Sequence, residues 1–328
     1  MQTLYPWLQT YYQQITQAFL EKHGHHALLF KSEKGLGVES LVDHIAQWII
    51  CQNPQENMPC GSCHSCRLYL AETHPDIYYL DNDEGKDIGV EIVREVNEKV
   101  NQYAQQGGNK IVCIKQAERL TPAAANALLK TLEEPRPNTY FLLQVSTSST
   151  VLPTIYSRCQ PWLIKLPDTT VTQQWLQAQT HIDIETIQIA LNMNYQRPLW
   201  ALETLQKNEI QKRTEFLRHF WRFYQRRSPL ELLPYFEKEQ TTHQLDWLIC
   251  FLHDALKCKL GINENWFFED LKQGIQQFSQ KNSRSSLLYA IKILQKARWE
   301  LIHINGVNQE LILTDCLTRL ISEIFDQI

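Results

Sequence analysis

The apolar run Ala27-Leu28-Leu29-Phe30 leads into Lys31-Ser32-Glu33-Lys34-Gly35-Leu36-Gly37 and then into Val38-Glu39-Ser40, where the apolar spacing turns helical. A buried strand, a loop with two glycines and a helix start constrain the fold more than any other stretch, because phosphate-cradling parallel sheets begin in this way. The phosphate-loop pattern GxxxxGK[ST] needs a first glycine for the turn, a lysine to reach the β- and γ-phosphates and a hydroxyl to hold Mg²⁺. Ser32, Val38 and Glu39 occupy those three places, with Gly35 and Gly37 left in the loop. A carboxylate in the hydroxyl's place faces phosphate oxygens at a site whose affinity rests on backbone N–H groups and positive charge. The stretch therefore reads as a nucleotide-binding scaffold without productive ATP binding.

Further apolar runs at 77–80, 111–114, 140–145 and 162–166 join 27–30 as strand candidates. Amphipathic stretches separate them; Val93, Val96, Val100 and Tyr103 share one helical face by their spacing. Strands alternating with helices predict an α/β core with a parallel sheet covered on both sides. Pro167-Asp168 ends the alternation, and everything after it reads helical. At 328 residues the chain exceeds one comfortable hydrophobic core. The pattern divides it into a core at 1–167 and a small helical domain at 168–206, with Trp175, Leu176, Ile184, Ile187 and Leu191 at helical spacing and Arg197-Pro198 as a turn. A helical bundle at 207–328 follows, marked by Phe216, Phe220 and Phe223; Trp247, Phe251 and Ala255; Leu287, Ile291 and Leu294; and Leu313, Leu317 and Leu320.

A net charge of −4 without a long block of one sign argues against a chain that grips nucleic acid alone through a basic surface. Arg218, Arg222 and Arg226 do share a helix face. With Glu209, Glu215 and Glu231 close by, a solvated face is preferred over a DNA or partner contact. The start has no cationic segment followed by an apolar one, and nowhere do eighteen apolar residues run together. A cytoplasmic protein without a membrane span is expected.

Cys51, Cys60, Cys63 and Cys66 form C-x8-C-x2-C-x2-C among the turn formers Asn53-Pro54, Pro59 and Gly61. Four thiolates in so short a span can surround Zn²⁺ tetrahedrally, and a shell filled by protein is structural rather than catalytic. His64 and His74 are then bystanders. A redox CxxC pair or buried thiols without a ligand role are the alternatives. The expected insertion, about 51–66, lies between the first core helix and the second strand.

An ATPase of this kind ends its third strand on an acidic pair, one carboxylate for Mg²⁺ and one for the attacking water. Here Lys115-Gln116 follows 111–114, and Glu118 reads as a solvated turn residue. The segment 121–135 is a well-marked helix: Thr121 caps it, Pro122 suits its first turn, Pro135 stops it, and Leu128, Leu129 and Leu132 form its buried side. Ser157-Arg158-Cys159 follows the fourth strand. An arginine there suits stabilisation of charge on a transferring phosphoryl group, and a surface salt bridge is the plainer reading.

Together, residues 121–135, Ser157-Arg158-Cys159, the four-cysteine insertion and Asn305-Gly306-Val307-Asn308-Gln309-Glu310-Leu311-Ile312-Leu313-Thr314-Asp315 resemble the AAA+ clamp-loader family of bacterial DNA polymerase III. Tyr5-Pro6-Trp7-Leu8, Gly24-His25-His26-Ala27 and His74-Pro75-Asp76 extend the likeness over essentially the whole chain. The resemblance implies a two-domain AAA+ core with a zinc-binding insertion, and a helical collar through which five subunits form an open ring. It implies an accessory subunit, not an enzyme on its own: a rigid stator that lends Arg158 of its Ser157-Arg158-Cys159 motif to the ATP site of a neighbour. The implied partners are gamma/tau-type ATPase and delta-type subunits in a hetero-pentamer, with the sliding clamp and primed DNA met through the complex. Val145 stands where ATP-hydrolysing relatives carry a polar sensor, and Leu199 where they carry a second-domain arginine, with Arg197 two residues away read as a turn or interface residue.

Two other readings stay open at this point. One is a self-sufficient AAA+ ATPase that uses Lys31 or Lys34 in place of the missing lysine. The other is a zinc-dependent DNA-binding module, weakened because the cysteine segment contains only Arg67 as a cation and has no basic recognition helix.

Overall fold

A computed structural model describes residues 3–81, 86–304 and 306–325. Asn305, the first residue of the C-terminal motif, lies outside them. The chain divides into two compact units, Met1–Thr172 and Gln173–Ile328.

The first unit runs α1 (Gln9–Leu20), β1 (Ala27–Ser32), α2 (Val38–Ile50), α3 (His64–Leu70), β2 (Ile77–Leu80), α4 (Val90–Val100), β3 (Lys110–Ile114), α5 (Pro122–Glu133), β4 (Thr139–Ser146), α6 (Pro153–Tyr156) and β5 (Gln160–Ile164). The strands form one sheet in the order β2-β3-β4-β1-β5, and every pairing is parallel. Residues 27–30, 111–114 and 141–143 are fully buried, as parallel strands covered on both faces must be. Alternate residues serve the two faces: Ala27, Leu29, Val112, Ile114, Phe141 and Leu143 pack against α4 and α5, while α2 covers the other side of β3 and β4.

Two expectations need correction. The fifth strand covers 160–164 and not 162–166, and Leu166 is exposed. Pro161 sits within it because β5 is an edge strand bonded only to β1, so the missing N–H breaks no second ladder. Tyr103 does not share the face of Val93, Val96 and Val100; α4 stops at Val100, and Tyr103 is 93% exposed in the following loop.

The helix signals of α5 act as read: Thr121 Oγ1 accepts the N–H of Ala124 at 3.2 Å, and Pro122 opens the first turn. Leu128 and Leu132 are buried, with Leu129 half-buried beside them.

Helix α7 (Thr169–Thr180) crosses the boundary between the units. The second unit continues with α8 (Ile184–Met193), α9 (Pro198–Gln206), α10 (Glu209–Arg226), α11 (Thr241–Lys259), α12 (Lys272–Lys281), α13 (Arg284–His303) and α14 (Gln309–Arg319), which passes into a π-helical stretch at Leu320–Phe325. Leu176, Ile187, Ala190, Leu191, Ala201 and Leu205 gather into a cluster of their own. All the aromatic and aliphatic positions that marked the bundle are buried in a second, larger one, where Phe278 meets Phe220, Phe251 and Phe325 at centroid distances of 5.9, 5.3 and 6.2 Å. Among the described residues no helix is long and apolar enough to cross a membrane.

Candidate functional site

The glycine loop follows the carboxyl end of β1, where open α/β sheets place their ligands. Ser32 ends the strand at 6% exposure, and the chain turns through Gly35 and Gly37, both left-handed with φ of 85° and 72°, into α2. Val38, in the lysine's place, is buried in the core, and Glu39, in the hydroxyl's place, is exposed. Lys31 lies within β1 itself, and Lys34 is exposed. Protein groups tie the loop down: Trp7 Nε1 donates to Leu36 O at 2.9 Å, Thr147 N donates to Ser32 O at 3.0 Å, and Thr147 Oγ1 donates to the Glu33 carboxylate. Contacts from the segment before α1 and from the residue after β4 thus hold the loop.

The end of β3 is equally altered. Lys115 pairs with Asp81 at 3.4 Å and lies 5.8 Å above the Tyr79 ring, while Gln116 Oε1 accepts from Arg119. Beside the start of α2 and the end of β3 is a cavity of about 650 Å³ whose lining includes the carboxylates of Glu39, Asp43 and Glu72 against Lys115. Glu118, expected to be solvated, is half-buried instead: Ser146 N donates to Oε1 at 3.4 Å, and Oε2 is enclosed without a hydrogen-bond partner. The chain has indeed left the strand there, but its 3₁₀ turn at Ala117–Arg119 folds back onto the end of β4.

The cysteines converge as their spacing demands. Cys51 caps the C-terminus of α2, Cys63 caps the N-terminus of α3, and the four sulfur atoms lie within 4.8 Å of one another. Cys51 Sγ is 3.5 Å from Cys60 Sγ and 4.0 Å from Cys63 Sγ. A disulfide requires about 2.05 Å, whereas thiolates about 2.3 Å from a tetrahedral ion have edges of about 3.8 Å. The four are therefore spaced so that they could hold a metal ion with small adjustment of the sulfur positions. Backbone N–H groups already point at the sulfurs, from Cys60 to Cys51 (3.3 Å), from Cys63 to Cys60 (3.3 Å) and from Cys66 to Cys63 (3.4 Å). Those of Cys63 and Ser62 bring the Cys60 thiol down to about 6, while burial pushes Cys51 and Cys66 up. Neither His64 nor His74 joins the cluster. His74 is buried elsewhere, its Nδ1 accepting the Asp76 N–H at 3.2 Å.

Arg158 stands just beyond the four-residue α6, its side chain 28% exposed. Nε donates to Glu133 Oε1 at 2.7 Å and NH2 donates to the same oxygen; NH1 donates to Thr154 O at 2.7 Å and to Ser157 Oγ at 3.3 Å. Ser157 is exposed, whereas Cys159 turns into the sheet core, where burial pushes its thiol up to about 12. Arg158, Glu133 and Ser157, with His25, His26 and Leu132, line an open cavity of about 410 Å³. His26 is held there by its Nε2 contact with Leu132 O at 2.8 Å, and burial lowers its pKa.

Similarity to known proteins extends over almost the whole chain. Residues 7–169 match a family profile described as DNA polymerase III, delta subunit, and residues 207–322 match one described as DNA polymerase III, delta subunit, C terminal. A protein named DNA polymerase III subunit delta' from Haemophilus influenzae is 55% identical, with 99% of each chain covered. This chain belongs to the DNA polymerase III delta' family. Proteins named DNA polymerase III subunit delta' from Yersinia pestis and Escherichia coli are 40% and 34% identical, covering 95% and 96% of this chain and 94% and 95% of theirs. Among solved structures, a DNA polymerase III gamma subunit-related protein of Thermotoga maritima has a TM-score of 0.45 at 18% identity, over 93% of this chain and 97% of that one.

The remaining positions in this delta' chain separate clearly. Arg218, Arg222 and Arg226 face solvent on α10, and Arg226 pairs with Glu231 at 2.7 Å. Arg197 caps the start of α9 with its guanidinium 4.4 Å from the Trp200 ring. Sequence reading passed over Arg213, fully buried on the other side of α10, where it pairs with Asp270 and lies 4.5 Å from the Phe268 ring. The inward phase it shares with Phe216 and Phe220 was the available signal.

Proposed function

We propose that this delta' chain is the non-hydrolysing stator of a replicative clamp loader, and that Arg158 completes the ATP site of an adjacent gamma/tau-type ATPase subunit during loading of the sliding clamp onto primed DNA. The reading rests on one contrast. Its own lysine position is occupied by the buried Val38, from which no cation reaches a phosphate, while Arg158 holds a guanidinium at the surface with all three nitrogens engaged. Arg158 precedes β5 and shares a cavity with His25 and His26, which precede β1, whereas the chain's own loop follows the carboxyl end of β1 and is closed by Thr147 and Trp7, so the arginine is placed for donation outward and not for its own loop.

The chain takes part in polymerase function as an accessory cytoplasmic subunit, with delta-type and ATPase-type neighbours in a hetero-pentamer. In this reading 168–206 is the lid domain and 207–328 the collar that joins the subunits. Zinc is the metal proposed for Cys51, Cys60, Cys63 and Cys66, where it would close the 51–66 excursion and perform no chemistry.

Arg158→Ala in the reconstituted complex tests the proposal. An arginine supplied in trans is worth about 10³ to 10⁵ in rate, so the site next to this chain should fall nearly silent while assembly is unchanged. DNA-stimulated ATP turnover equal to that of the unaltered complex would remove Arg158 from the mechanism. Mg²⁺-dependent ATP hydrolysis by the purified chain alone would favour the self-sufficient ATPase instead.

A further inference from the structure

We infer that Glu133 is a positioning residue for Arg158, fixing which edge of the guanidinium is offered to a neighbour's phosphate; the inference rests on the proposed role of Arg158. Glu133 is the last residue of α5, where the partial negative charge of the helix end disfavours a carboxylate. The compensating interaction comes from Arg158, 25 residues further along the chain. Both Nε and NH2 donate to one oxygen, Oε1, so the carboxylate occupies the Nε side of the fork.

NH1 is held from below by Thr154 O at 2.7 Å and more loosely by Ser157 Oγ at 3.3 Å. An arginine has five N–H donors in a fixed plane. Two go to Glu133, and NH1 gives one to Thr154 O and a longer one to Ser157 Oγ, which leaves the second N–H of NH2 uncommitted. That N–H, with an NH1 donor released when the Ser157 side chain turns away, offers the end of the guanidinium to a phosphate. Without Glu133 only the NH1 contacts to Thr154 and Ser157 remain, the guanidinium plane is held at one end alone, and part of its alignment must be won back when the transition state forms.

The chain itself supplies an internal control. Because one oxygen accepts both bonds, a glutamine can reproduce the contact, whereas an alanine cannot. Steady-state ATP turnover by the reconstituted complex, with primed DNA and clamp, is measured for Glu133→Ala, Glu133→Gln, Arg158→Ala and the double variant Glu133→Ala/Arg158→Ala, after complex size is checked by gel filtration. The expected result is a kcat about tenfold lower for Glu133→Ala with KM little changed, since misplacement by a fraction of an ångström is felt in the transition state. Glu133→Gln should recover most of it, and the double variant should be no worse than Arg158→Ala alone.

Full turnover in Glu133→Ala beside a defective Arg158→Ala would overturn the positioning role and leave the parent reading standing. A loss that adds to that of Arg158→Ala, or that glutamine does not recover, would also overturn it, because a structural fault does not depend on the arginine. An Arg158→Ala complex with normal turnover would instead overturn the reading on which the inference stands.

Discussion

Replacing Asp76 by alanine should cost the first unit about 3 kcal/mol, although the residue lies in neither the phosphate loop nor the cysteine cluster. Asp76 is 1% exposed at the end of the turn His74-Pro75-Asp76, just before β2. Its Oδ1 accepts the N–H of Gln105 at 2.8 Å and its Oδ2 that of Gln106 at 2.9 Å, while its carbonyl accepts the N–H of Ile111 at 2.9 Å. The side chain therefore clamps the loop between α4 and β3 onto the start of the edge strand. A hydrogen bond to a charged group contributes about 1.5–3 kcal/mol. Gln105 is an exposed residue and Gln106 a half-buried one, so their freed N–H groups rehydrate, and the lower end applies to each bond. For a unit of this size about 3 kcal/mol corresponds to a melting temperature lower by about 6–12 °C. Urea unfolding of Asp76→Ala followed by circular dichroism measures the loss, and hydrogen exchange at Gln105 and Gln106 localises it. Asp76→Asn retains one acceptor and should fall between the two. Stability within about 0.5 kcal/mol of wild type, the usual range for an inert surface change, together with unchanged exchange at the two amides, would refute the clamp.

Removing metal with a chelator under reducing conditions should lower the melting temperature and expose 51–66 to protease while the sheet signal persists, because metal binding and local folding are coupled; protein purified with a reductant and found by elemental analysis to lack zinc would end that expectation. Burial lowers the pKa of His74, whose Nδ1 must stay unprotonated to accept the Asp76 N–H; its contribution is complete above the unfolded value of about 6.5 and is lost as pH falls from there through the folded value. A His74→Asn variant, whose amide oxygen can accept the same N–H, should show a shallower loss of stability between about pH 7 and pH 5, and an unchanged slope would assign the acid sensitivity to other groups.

The inner strands were legible because a strand buried on both faces has little room for polar residues, and 27–30 and 111–114 contain none. The same logic weakens at the edge. In β5, Leu163 is 52% exposed and a proline is tolerated, so hydrophobicity alone misplaced the strand by two residues. Tyr103 continued the helical period of α4 on paper, but periodicity carries no information on where a helix stops. The cysteine site was readable because its ligands are close in sequence and their chemistry is restrictive. The partners of Glu118 and Arg213 were not, since Ser146 and Asp270 are 28 and 57 residues away and become neighbours only in the fold; for Arg213 only its burial was signalled, by its phase with Phe216 and Phe220.

The same distinction explains how the glycine loop after β1 keeps its form without the phosphate-loop lysine and hydroxyl. A working phosphate loop leaves backbone N–H groups and a lysine uncommitted so that the ligand can satisfy them. In this chain the corresponding free energy comes from within: Val38 and the fully buried Leu36 contribute apolar burial, Trp7 satisfies the Leu36 carbonyl, and Thr147 bonds both Ser32 and Glu33. Each contact replaces a term that nucleotide binding and release would otherwise switch on and off. In the proposed reading, a loop stabilised in this way leaves ATP little differential affinity through which to shift its conformation. Under the proposed stator role, constancy of shape would follow from the same positions that lack the lysine and hydroxyl, and a subunit proposed to lend Arg158 to a neighbour would benefit from it.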